Sequence, residues 1–279
     1  MIFLRRFFVS ALLMGLTFVV FSQNSEQLNI IDGVVERTIQ AEKAPLTYES
    51  LREADVSWEK KIWRIIDVRE KINLAFVYPN RPFYEILKEG VASGDLTVFS
   101  AETDDFSIPM DLEEAMKVGV TVDTIIVPSF EPTHPEDDIQ IIRNEVDYTE
   151  IKRFRLKEVW FFDEESARMQ VRIIGIAPIV EVLDEAGNFK YEQPMYWLYY
   201  PQLRDLLAKE QSPHFDNDAH PITWEDILEM RYFSSYVYKA SNVRDERIKD
   251  YIAGNMDQLL EAEKIEHSLF NLEQDLWSY

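Results

Sequence analysis

The sequence predicts an α+β fold: an antiparallel β-sheet with packed helices, an N-terminal extended arm and C-terminal helices. Three observations point there. Residues 151–162 and 169–183 are long β-rich runs joined by Asp163-Glu164-Glu165-Ser166-Ala167, the pattern of an antiparallel hairpin. Helical signals lie outside those runs, at 58–73, 201–209 and 242–277. Only 8 glycines occur, and the closest pair, Gly90 and Gly94, cannot write a phosphate-cradling loop or a dinucleotide fingerprint.

In chain order, residues 1–22 come first. Arg5 and Arg6 precede an apolar run broken only by Ser10, Gly15 and Thr17, and Val20 and Ser22 are the small residues that a signal peptidase reads. The run is shorter than the about 20 residues a spanning helix needs, so it reads as a secretory leader with the mature chain starting at Gln23. The Arg-Arg-x-Phe pattern at 5–8 admits folded, twin-arginine export, but nothing downstream demands it. Residues 23–57 form a polar arm with scattered aliphatics (Ile30, Ile31, Val34, Val35, Ile39) and a break at Pro45.

The body spans 58–279. Trp58, Ile62, Ile65, Ile66, Arg69 and Ile72 recur at helical spacing, which predicts an amphipathic helix over 58–73. A Pro-Asn-Arg-Pro turn at 79–82 leads to a short helix over 83–89 ended by Gly90, then to strands at 96–100 and 121–127 around a helix at 111–117. Pro128, Pro132 and Pro135 with Glu131, Glu136, Asp137 and Asp138 make an acidic connector without regular structure, so an internal boundary falls in 128–147. After the hairpin, Asp184-Glu185-Ala186-Gly187 turns the chain towards a strand at 196–200. Pro201 opens a helix, Thr223 caps another with Asp226 three residues on, and 231–239 reads as a strand.

Composition narrows the chemistry. No cysteine is present, which excludes disulfides, thiolate metal sites, thiol catalysis and the acceptor of a lipoprotein anchor. Loss of Arg5 and Arg6 with the leader sets 27 basic residues against 51 acidic ones, taking the formal charge from −22 to −24. Such a field repels nucleic acid and anionic lipid, so neither is expected as a partner. No nucleophile elbow or His-Glu-x-x-His helix is found, and carboxylate pairs are too common among 51 acids to nominate a general acid and base. One loop holds metal-ligand types at alternate positions: His214, Asp216, Asp218 and His220. They are weak metal candidates, and the plain reading is a polar loop before the Thr223 helix.

Two features suggest contact surfaces. Arg153, Arg155 and Lys157 alternate along 151–162 with Phe154, Leu156 and Trp160 on the other side, a basic stripe suited to an acidic neighbour such as a second copy. Trp197 and Tyr199 share one face of the aromatic run 196–200, which divides between core and contact surface.

A set of ordered motifs carries a resemblance. They are Trp63-Arg64-Ile65-Ile66-Asp67-Val68-Arg69-Glu70-Lys71-Ile72-Asn73, Trp160-Phe161-Phe162-Asp163, Gly175-Ile176-Ala177-Pro178, Tyr199-Tyr200-Pro201-Gln202-Leu203-Arg204 and Thr223-Trp224-Glu225-Asp226-Ile227. Arg231-Tyr232-Phe233-Ser234-Ser235-Tyr236 and Lys239-Ala240-Ser241-Asn242 complete it. Over 46–279 the chain resembles the gliding-motility protein GldN (PorN) family of the bacterial type IX secretion system. The resemblance implies a non-enzymatic periplasmic ring subunit, without cofactors or catalytic residues. It also implies assembly with the outer-membrane lipoprotein GldK (PorK) and contact with the periplasmic part of the inner-membrane protein GldM (PorM). The alternative is a periplasmic metal-dependent hydrolase built on His214, Asp216, Asp218 and His220.

Overall fold

The computed structural model describes residues 43–118, 120–127, 138–144, 146–183, 188–213 and 222–277. The expected leader and the expected arm before residue 43, the connector 128–137, the turn 184–187 and the 214–220 loop lie outside the described residues. The elements run β1 (Val56–Asp67), α1 (Phe83–Ala92), β2 (Val98–Phe99), β3 (Pro109–Met110), α2 (Leu112–Lys117), β4 (Thr121–Val127) and β5 (Asp138–Asn144). They continue with β6 (Arg153–Asp163), β7 (Arg168–Leu183), β8 (Phe189–Pro194), β9 (Trp197–Tyr199), α3 (Tyr200–Leu207), β10 (Gln211–Ser212), β11 (Ile222–Thr223) and α4 (Trp224–Glu229). Last come β12 (Tyr236–Ala240), α5 (Ile248–Tyr251) and α6 (Asn255–Trp277).

The main sheet has the order β12-β1-β6-β7-β9-β2-β3, with β8 also on β7, and its pairings are antiparallel. The architecture is α+β. The hairpin is β6–β7, in register from Arg153↔Ile179 to Asp163↔Arg168. Asp163 closes its turn by accepting hydrogen bonds from Ser166 Oγ at 2.6 Å and the Glu165 amide at 3.1 Å. Helices cover one face. Ile66, Phe154, Leu156, Ile176 and Leu198 of the sheet pack there on Phe83, Leu87, Leu203, Leu207 and Trp224. At the β12 end of the same face, Ile62 and Val237 meet Ile248, Ala262 and Leu269 of α5 and α6.

The expected helix over 58–73 is a strand instead. Its outer half alternates exposed and half-buried positions, whereas Ile62 to Asp67 are buried without a break. A strand enclosed on both faces has no period-2 signature, so chance helical spacing of Ile62, Ile65 and Ile66 misleads the periodicity argument. Beta-branched isoleucines and two tryptophans favour the strand locally. A 3-10 turn over Lys71–Val77 comes next, and Asn73 Nδ2 donates to the Asp67 and Ser234 carbonyls from a fully buried position.

Other boundaries shift for identifiable reasons. α1 runs past Gly90, which is a close-approach residue: a Cβ there would lie 2.6 Å from Leu206 Cδ2 and 2.7 Å from Leu96 Cδ1. β5 occupies Asp138–Asn144, inside the stretch expected to be connector, and pairs with β4. The strand expected from 231 starts only at Tyr236, because Arg231 (φ 56°) ends α4 in a left-handed cap. Tyr232 N donates to Ile227 O at 2.8 Å and Arg231 N to Leu228 O at 3.2 Å, the 6→1 and 5→2 bonds of a Schellman closure. The strand expected over 196–200 is β9 alone, since Tyr200 already starts α3 with Pro201 in its first turn. The Thr223 cap has the expected reciprocal box with Asp226.

Candidate docking surfaces

Alternation along β6 places Arg153, Arg155 and Lys157 on the sheet face opposite the helices, as the sequence indicates. β6 is flanked by β1 and β7, so this stripe lies inside the sheet and not along an edge. Most of its charge is met within the chain. Arg153 pairs with Glu192 and, at 3.1 Å, with Asp67. Lys157, 7% exposed, donates to the Asp104 carbonyl and lies over the rings of Trp63 and Phe106. Burial pulls its pKa below the ordinary lysine range. Lys239, 4.4 Å from the Trp63 ring centroid, reaches Asp245 at 2.7 Å and Asp104 at 3.7 Å. Arg155 stacks 4.6 Å over Tyr238, whose hydroxyl burial pushes up to about 12.

The aromatic run completes this face. Trp197, 1% exposed, joins Trp63 and Ala177 in a small apolar cluster bordered by Phe99, Phe106 and Tyr238. Tyr199 is half-buried, 5.7 Å from the Phe106 ring. Phe106 itself is held at φ 59° and rests on Gly175, where a Cβ would sit 2.4 Å from Phe106 Cζ. The backbone needs glycine there for the 99–108 segment to lie on the sheet.

Two further features stand out on the surface. The first is a strap: the described end of the arm runs over α3 and α4. Lys43 Nζ pairs with Asp226 at 2.5 Å, Tyr48 Oη donates to Glu229 at 2.6 Å, and Arg204 donates to the Leu46 carbonyl while stacking 4.0 Å under the Tyr48 ring. Beneath it, Arg204 pairs with the fully buried Glu225 at 2.6 Å. The second is α6, apolar on two sides. Ala262, Ile265 and Leu269 face the sheet, while Met256, Leu259, Leu260 and Phe270, at 72%, 52%, 55% and 60% exposure, face outward. Apolar residues at both sets of i, i+3/i+4 positions in 255–270 are the signal that could have found it.

The His214, Asp216, Asp218 and His220 loop lies outside the described residues. Among the described residues, no group of three or more His, Asp or Glu is arranged to hold a metal ion, and no helix is long and apolar enough to cross a membrane.

Asp67 sets an expected acid response. Hydrogen bonding from Arg69 chiefly, against opposing burial and with help from Arg153, holds its pKa far below the ordinary carboxylate range. A depressed folded-state pKa contributes stability that is complete above the unfolded value of about 4 and is lost as pH falls towards the folded one. Melting temperatures of Asp67→Asn should therefore fall less steeply than the parent's between about pH 5 and pH 2; parallel curves would remove Asp67 from the acid response.

No curated protein matches the chain. A family model described as gliding motility associated protein GldN matches residues 51–278, which takes in the main sheet and its helices, and the chain belongs to that family.

Proposed function

We propose that the protein is a non-enzymatic structural subunit of a periplasmic ring in the type IX secretion and gliding machinery. In this reading it is held at the outer membrane by the lipoprotein GldK and faces the periplasmic part of GldM. Membership of a gliding-motility family over 51–278 is the observation that carries this. The sequence adds support: a leader for export, and no cysteine to accept a lipid, leave attachment to a partner. The surfaces a neighbour would meet are the outer α6 stripe and the accessible part of the Arg153-Arg155 stripe. Trp197 shapes the sheet beneath and Tyr199 borders it.

The test is co-expression of the full chain with its lipoprotein partner, detergent extraction, and size analysis with electron microscopy. A large co-migrating assembly is expected. Recovery of free monomer only would overturn the reading.

A further inference from the structure

Among the described residues Arg155 has no carboxylate within ion-pair distance, on a chain that carries 51 acids; Asp104 and Glu192 act on it only from further away. It is half-buried, and its Nε is sealed from solvent without a hydrogen-bond partner. The acids around it are committed elsewhere. Asp104 lies between Lys157 at 3.9 Å and Lys239 at 3.7 Å, Asp245 is taken by Lys239, Glu192 by Arg153, and Asp67 by Arg69 and Arg153. Among the described residues no carboxylate reaches ion-pair distance of Arg155, and Arg247 adds a further positive charge to its surroundings. The face of Tyr238 offers only partial compensation. A desolvated charge in this state carries a penalty that a carboxylate would relieve.

We propose that the Arg155 notch receives an Asp or Glu side chain of a second copy of this chain, which rests on the ring reading above. With Nε sealed, the two Nη groups are the planar pair of donors that a carboxylate arriving from outside would meet. Charge complementarity selects the occupant. Copies of a body with formal charge −24 once residues 1–22 are removed repel over most of their surface. On this sheet face Arg153, Lys157 and Lys239 are met within the chain, which leaves Arg155, with Arg247 beside it, as the local excess of positive charge among the described residues. A ring needs a heterologous contact in which one patch meets a different patch on the next copy. A local basic notch on an otherwise acidic body has that asymmetry. Reversing the charge of Lys157 would press a carboxylate against Asp104, so Arg155 is the position to change.

The experiment is sedimentation velocity of the full mature chain, alone and with its lipoprotein partner, for the parent and Arg155→Met. Methionine keeps the aliphatic stem over Tyr238 and removes the charge. The expected result is self-association weakened at least tenfold while the melting temperature of the dissociated monomer holds or rises, with Arg155→Lys recovering part of the association. Unchanged assembly of Arg155→Met overturns the proposal and leaves the ring intact. A lowered monomer melting temperature, or failure to fold, assigns Arg155 to the monomer's own stability and also overturns it. Loss of lipoprotein binding with self-association retained places the carboxylate on the lipoprotein instead. A parent that stays monomeric under every condition removes the ring reading and this inference together.

Discussion

Replacing Arg204 with methionine should lower the stability of the folded chain by about 3–5 kcal/mol, the cost of leaving one partner of a buried ion pair alone. Arg204 Nη2 lies 2.6 Å from Glu225 Oε1, and Glu225 is completely buried. Its second oxygen already lacks a partner, so without Arg204 the buried carboxylate keeps no hydrogen bond at either oxygen. Loss of the guanidinium also removes the longer contact to Glu229 at 3.6 Å, the bond to the Leu46 carbonyl and the platform under Tyr48. The strap should loosen with it. Urea unfolding followed by tryptophan fluorescence measures the loss, and protease sensitivity near residue 48 reports the strap. Changing Arg204 and Glu225 together to methionine should restore most of the stability, because apolar replacement of a whole buried pair is often neutral. A double variant as unstable as the single one would mean that the loss comes from Arg204's packing and not from an orphaned carboxylate.

Trp224→Ala should cost about 3–5 kcal/mol, the range for emptying a large aromatic site in a core. Trp224 is fully buried at the start of α4, with ring centroids 4.6 Å from Phe83 and 4.9 Å from Phe76. Both of those rings also touch Phe154 of the sheet, at 5.3 and 5.7 Å. The tryptophan thus ties α4, α1 and the 3-10 turn to β6 at one point, and the cluster cannot close over the void without moving elements that the sheet fixes. Its indole N–H has no hydrogen-bond partner, so the loss is one of packing. Trp224→Phe, which keeps a ring and deletes that unpaired donor, should cost under about 1.5 kcal/mol as a milder change of volume. Chemical denaturation separates the two. Equal losses would show that the cost does not follow the volume removed and would overturn the packing account.

Parts of the fold are legible in the sequence because their signals are local. Thr223 with Asp226 three residues on writes a capping box, Pro201 writes a first helical turn, and 151–183 writes a hairpin around an acidic turn. β1 is hidden from periodicity because the segment carrying Phe106 covers the strand face that alternation would leave polar, and that cover comes from far downstream in the chain. Arg231 illustrates a second limit. A non-glycine residue at φ 56° is chosen by its ion pair with the fully buried Glu158, at 2.8 Å across 73 residues, which no local pattern contains.

The candidate surfaces divide in the same way. The alternation that puts Arg153, Arg155 and Lys157 on one face is a property of a strand and is present in the sequence alone. Their neutralisation is not: Lys157 meets Asp104 over 53 residues and Arg153 meets Glu192 over 39. The amino-acid sequence therefore determined the composition-level facts, an acidic cysteine-free chain of α+β class, and the elements whose caps, turns and alternation are written within a few residues. Tertiary structure decided which faces are covered and which charges find partners, because burial and ion pairing depend on residues that are far apart in the chain and meet only once the sheet has formed. Arg155, one of three similar basic residues in the sequence, is set apart only there, as the one of the three whose neighbours leave it without a carboxylate among the described residues.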